Sequence, residues 1–204
     1  MNKTSLQYGE YYHIYNRGNN KEILFKESQN FVYFMSLYLK YVEPIADTLA
    51  YCLMPNHIHF VVWIKEEKEI KSFEEIGLFQ ERETMKTDNK KPNPSNQFSH
   101  LFSTYSKTIN KNYHRTGSLF EHPFERRLIE DSLYLQRCIA YVHNNPVEGK
   151  LVNNMESYKW SSYKALVSEL PTHLNRELVM KILEDKEYFL LYHGTKVDEF
   201  KSLE

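Results

Sequence analysis

YCLMPNHIHFVVWI, residues 51–64, is the stretch that decides how the chain folds. Its second half reads as a buried strand. Side chains on a strand repeat with period two, so His57 and His59 point to one face, about 7 Å apart at Cα. Ile58, Phe60, Val62 and Ile64 form an apolar row on the other face, which requires a core to join. Two neutral imidazoles at this spacing can hold one cation between them. They can equally be packed or hydrogen-bonded core histidines.

Upstream, IADTLAYCLM (45–54) is a second apolar run, and the Pro55-Asn56 break between the two predicts an antiparallel pair. Before it, KESQNFVYFMSLYLKYV (26–42) sets Phe31, Phe34, Met35, Tyr38 and Leu39 near helical spacing, with Ser28 as candidate cap and Pro44 as the stop. YYHIYNRG (11–18) alternates around Ile14 and runs into turn residues, so it reads as a strand. Its polar side can face a site or solvent.

Downstream, residues 65–97 are charged and end in a run of Lys, Asn and Pro. A helical turn is expected over 72–80 through Phe73, Ile76 and Phe79, and a mobile loop over 84–97. FSHLFSTYSKTINKNYH (98–114) then carries Phe98, Leu101, Phe102, Tyr105 and Ile109 as one helical stripe, with Ser95 or Asn96 as cap. Residues 117–130 read as a turn followed by a strand. DSLYLQRCIAYVHNN (131–145) is a helix opened by Asp131 or Ser132 and closed by Pro146. Trp160, Tyr163 and Leu166 are candidate anchors further on, and residues 171–194 supply one or two more helices.

The first six elements follow the order β-α-β-β-α-β. That predicts an α+β fold: a ferredoxin-like antiparallel sheet with helices on one face, the other face free to form a groove, and a C-terminal helical extension. The domain boundaries expected are 8–167, with an insertion at about 65–97, and 168–204 as a helical appendage.

With 41% hydrophobic and 15% aromatic residues, the 204-residue chain can build a packed core. A net charge of −1 means that any phosphate contact must come from a local patch. Cys52 and Cys138 form neither a disulfide framework nor a metal knuckle. Residues 1–15 hold no apolar run of signal-peptide length, and no segment approaches 18 apolar residues. A cytoplasmic protein with no membrane partner is the expectation.

A histidine pair needs a third ligand before it is a metal site. In the 131–145 helix, Tyr141 and Asn145 are spaced i and i+4, hence on one face. If that face meets the histidines, Asn145 completes a triad through its side-chain oxygen and Tyr141 sits one turn back. A phenol, with a pKa near 10, is a weak nucleophile at neutral pH. A divalent ion that polarised a phosphodiester would let it attack phosphorus and form a phosphotyrosine while a 3′-hydroxyl departs. Tyr141 is also one of 16 tyrosines, most of which must pack. Asn145 could simply close a helix.

The blocks YHIYNRGNN (12–20), YCLMPNHIHFVVW (51–63), NKNYHRTGSLFEHPFERRLI (110–129), AYVHNNPVEGKLV (140–152) and YKWSSY (158–163) stand in an order that resembles the single-tyrosine HUH transposases. In particular, the chain is similar to the REP-associated tyrosine transposases. The resemblance implies a DNA transposase, a single-strand endonuclease and strand transferase acting beside hairpin-forming repeats. It implies Tyr141 as nucleophile, and His57, His59 and Asn145 as ligands of Mg²⁺ or Mn²⁺. It leaves open a monomer or a homodimer. For single-stranded or hairpin DNA the candidate contacts are Arg17, Lys107, Lys111, Arg115, Arg126 and Arg127, with Tyr12, Tyr15 and Tyr113 able to stack on bases. The rival readings are a hydrolytic nuclease using the same ion, a domesticated hairpin-binding protein that does not cut, and a purely structural use of the two histidines.

Overall fold

The structure is a computed structural model that describes residues 5–76 and 90–195. Four strands, β1 (Tyr11–Arg17), β2 (Ala46–Met54), β3 (His57–Ile64) and β4 (Glu125–Ile129), lie in the order β2-β3-β1-β4. Every neighbouring pair is antiparallel. With α1 (Ser28–Tyr41) between β1 and β2, and α2 (Pro94–Asn112) between β3 and β4, this is the ferredoxin-like β-α-β-β-α-β arrangement. The β2–β3 hairpin turns at Pro55-Asn56 as the sequence predicts, with a register shift between Thr48 and Ala50.

Helices α1 and α2 cover one face. Phe31, Phe34, Leu37 and Tyr38 of α1, and Phe98, Leu101, Phe102, Tyr105 and Ile109 of α2, bury against Ile14, Ile58, Phe60 and Val62. Phe60 stacks on Tyr38 at 4.3 Å, and the Tyr38 hydroxyl is satisfied by Thr48 Oγ1 at 2.8 Å. Each such large side chain contributes about 1.5–3 kcal/mol by leaving water.

The opposite face is not left free. Helix α3 (Ser132–Glu148) lies across its β2 side and packs Cys138, Ile139 and Val142 into a second core with Ala50, Cys52 and Val61. Helices α4 (Tyr163–Val167), α5 (Arg176–Ile182) and α6 (Lys186–Thr195) close that core with Tyr163, Leu166, Val179 and Phe189. Gln136 Nε2 donates to Ile182 O at 2.7 Å, tying α3 to α5.

Three boundaries differ from those predicted, each for a local reason. Helix α1 is capped by Glu27, which forms a reciprocal box with Asn30, rather than by Ser28. Helix α2 begins at Pro94, within the expected loop, because Asn93 accepts from Asn96 N at 3.1 Å and proline is at home in a first turn. Helix α3 runs through Pro146 to Glu148. A proline so near the end forfeits only one backbone bond, and the last turn still closes through Gly149 N to Asn145 O at 2.8 Å. The turn expected over 72–80 is described only to Ile76, whose N–H bonds Ser72 O, and residues 84–89 of the expected loop lie outside the described residues. Among the described residues no helix is long and apolar enough to cross a membrane.

Candidate active site

Strand parity selects which side chains meet on the α3 face. His57 and His59 are paired across β3–β1 with Arg17 and Tyr15, and Tyr15 is paired across β1–β4 with Glu125. Paired residues share a face, so His13, Tyr15 and Arg17 stand beside the two histidines. Where α3 stops short of covering them, a cavity of about 230 Å³ remains, lined by these residues with Glu121, Glu125 and Tyr141.

Helix α3 brings Tyr141 and Asn145 to the same place. The Tyr141 ring stands edge-on to His59, centroids 5.6 Å apart, and 5.9 Å from His13. Asn145 Nδ2 donates to Tyr141 O at 2.9 Å. A carbonyl only accepts, so this bond fixes the amide and turns Oδ1 toward His57 Nε2, 3.4 Å away. On the other side of that ring, Nδ1 meets Asn56 Oδ1 at 2.7 Å. A neutral His57 donating there presents a lone pair at Nε2 to the Asn145 oxygen. Two neighbouring ligands each about 2.1 Å from an octahedral ion stand about 3.0 Å apart, within a few tenths of an ångström of this separation.

His59 is 3% exposed, and its Nε2 has no hydrogen-bond partner among the described residues. Burial holds its pKa well below the ordinary 6.5, and neighbouring His13, His57 and Arg17 push the same way. Burial, and then Arg127, lower His13 to about 3. Both rings are therefore neutral at pH 7, the form in which imidazole binds metals. Among the described residues no group of three or more His, Cys, Asp or Glu is placed to hold a metal ion; the oxygen nearest His57 Nε2 is that of the Asn145 amide. An orphaned buried nitrogen on His59, with an amide oxygen fixed against neighbouring His57, fits a divalent cation. The neutral nitrogen–oxygen set would leave its charge undiminished.

The other candidates divide between the two sheet faces. Arg17 and Tyr15 line the cavity, and Tyr15 stacks on His59 at 5.9 Å. Arg127 shares this face and donates from Nη1 to the Tyr134 hydroxyl at 3.2 Å. Arg126 points the other way: its guanidinium lies 4.0 Å over the Phe124 ring and Nη1 donates to Ser95 Oγ at 3.2 Å. It packs α2 onto β4, on the face of the sheet away from the histidines. Tyr12 is on that face too, 5% exposed in the first core with its hydroxyl accepting from Gln7 N. Lys107 and Lys111 are exposed on α2, across the sheet from the histidines. Arg115 is held by Glu22 and Asn110, and the Tyr113 hydroxyl donates to Glu27 Oε1 at 2.6 Å. Missing from the sequence-based set are His13, Asn56, Glu121 and Glu125. His13 had a signal, since it lies two residues before Tyr15 and four before Arg17 on one strand.

No family model and no curated protein matches the chain. A solved structure of a REP-associated tyrosine transposase bound to a REP hairpin is similar to it. The TM-score is 0.58 at 13% sequence identity, over 84% of this chain and 89% of that one. At that identity the likeness shows a shared fold.

Proposed function

We propose that this chain is a metal-dependent enzyme that nicks single-stranded DNA and transfers the strand through a covalent 5′-phosphotyrosine on Tyr141. One observation carries the reading: Tyr141 and Asn145 of α3 converge, within one chain, on the paired imidazoles of β3. The orphaned His59 Nε2 and the shared fold support it.

His57, His59 and Asn145 would hold Mg²⁺ or Mn²⁺. When bound, such an ion polarises a phosphodiester oxygen and offsets the charge that builds there. The Tyr141 oxygen attacks phosphorus, the bond from phosphorus to O3′ breaks, and a tyrosine–phosphorus ester replaces it. The phenol gives up its proton and the departing 3′-oxygen takes one. Glu121 and Glu125, in the cavity wall, are the carboxylates available to receive and return it. Because one ester replaces another, a second 3′-hydroxyl can reverse the step and join a new strand.

Arg17 and Arg127 supply positive charge around the cavity, and Tyr15 can stack on an unpaired base. The solved protein of like fold is bound to a REP hairpin, which supports hairpin DNA with single-stranded flanks as the substrate class. A site assembled by one chain supports action as a monomer.

The test is to incubate a labelled hairpin carrying single-stranded flanks with protein and Mn²⁺ and resolve the products under denaturing conditions. A protein–DNA adduct that disappears in Tyr141→Phe is expected. Cleavage retained by that variant would instead make the protein a hydrolytic nuclease. Hairpin binding with no nicking under Mg²⁺ or Mn²⁺ would make it a binding protein.

A further inference from the structure

His13 lines the cavity but has no part in the proposed step, and it touches a ligand candidate, His59, whose outer nitrogen has no partner among the described residues. Its Nε2 lies 3.0 Å from His59 Nδ1, and the rings overlap at 5.2 Å between centroids. Both residues are buried, at 2% and 3% exposure. The two remaining nitrogens, His13 Nδ1 and His59 Nε2, have no partner among the described residues.

One proton lies between two neutral rings, and it can belong to either. If His13 donates from Nε2, His59 Nδ1 is the acceptor and the proton of His59 must sit on Nε2, which then cannot ligate a cation. If His59 donates from Nδ1, its Nε2 carries a lone pair aimed at the site, and His13 carries its own proton on Nδ1. The rings exchange no net charge between these states; only the proton positions differ. A hydrogen bond to the far nitrogen is how proteins commonly fix the tautomer and angle of a metal-bound imidazole.

We infer that His13 is a positioning residue: it accepts the Nδ1–H of His59 and so fixes the Nε2 lone pair on the cation site, as Asn56 does for His57. The inference rests on the proposed metal-dependent reading.

Three full-length proteins test it, with Mn²⁺ affinity read by electron paramagnetic resonance titration and without any DNA. Relative to wild type, His13→Leu should bind roughly 10–100-fold more weakly. His13→Gln, whose amide oxygen can take the place of Nε2, should recover most of that loss. Nitrogen-resolved NMR of the Mg²⁺-loaded wild type should find the His59 proton on Nδ1, a readout that needs no variant to fold. Equal affinity in wild type and His13→Leu, or a proton on His59 Nε2, overturns the role of His13 and leaves the metal site standing. Wild type that binds no Mn²⁺ overturns the metal-dependent reading and the positioning role with it.

Discussion

Two pairs of buried histidines lie in this protein on the same side of the sheet, and they differ in how their protons are accounted for. In the pair His143–His193 the rings meet at 2.9 Å, His193 Nδ1 lies 2.7 Å from Phe189 O, and His143 Nε2 lies 2.7 Å from Ser162 Oγ. The Phe189 carbonyl can only accept, so His193 must donate from Nδ1 and accept at Nε2. His143 then donates from Nδ1 and accepts from the Ser162 hydroxyl. Every proton is fixed by the protein. In the pair His13–His59 the contact is almost as short, but a nitrogen on each ring is left over. A closed network joins elements of the fold, whereas an open one awaits a group from outside.

Leucine in each pair should separate these roles most sharply. His59→Leu should lower Mn²⁺ affinity by roughly 100-fold or more at a modest cost in stability, since the loss of one unsatisfied nitrogen partly offsets leaving His13 Nε2 without its partner. His143→Leu should do the reverse. It orphans buried His193 Nε2 at about 1–3 kcal/mol, takes from the Ser162 hydroxyl its shortest contact, and should leave Mn²⁺ binding nearly intact. Denaturant unfolding and metal titration of both variants check the crossing; a His59→Leu protein as destabilised as His143→Leu would erase the distinction.

Acid should open the closed pair next. Burial, and then the neighbouring His193, hold His143 well below 6.5; burial holds His193 at about 4, partly offset by its bond to the Phe189 carbonyl. A folded pKa below the unfolded one means that the unfolded chain binds more protons in between. Stability is therefore full above about pH 6.5 and falls as the pH drops toward 4, by up to about 1.4 kcal/mol per pH unit for each such ring. Unfolding free energies of the metal-free protein from pH 7 to 4 measure the slope, and His193→Gln should flatten it.

The smallest effect concerns charge around the open pair. On the proposed reading, Arg17→Ala should weaken hairpin DNA binding several-fold and reduce the salt slope of affinity by about 1. Lys107→Ala and Lys111→Ala, across the sheet, should change neither. Equal losses in all three would place the DNA on a different surface.

The element order and the histidine face were legible because both follow from local periodicity. Ile58, Phe60, Val62 and Ile64 can only be core, which sends His57 and His59 to the other side. The i, i+4 relation of Tyr141 and Asn145 was legible in the same way. Parity also divides the candidate DNA contacts between the two faces: Tyr12 and Tyr15 are three apart and Arg126 and Arg127 are adjacent, so neither pair can share a strand face. Tyr12 goes with Ile14, and Arg126 goes with Phe124 against α2. What periodicity could not supply was register. That His13 meets His59 depends on β1 pairing with β3 and on both rings leaning together, and sequence spacing encodes neither.

The tail of the chain acts on the phenol from a distance. Helix α3 is splinted at both ends, by Gln136 to Ile182 of α5 and by His143 to His193 of α6. A peptide bond severed between those two helices would touch no group in the cavity. It would still slacken the support on which Tyr141 is mounted, so the placement of that phenol is set partly by residues forty to fifty positions further along the chain.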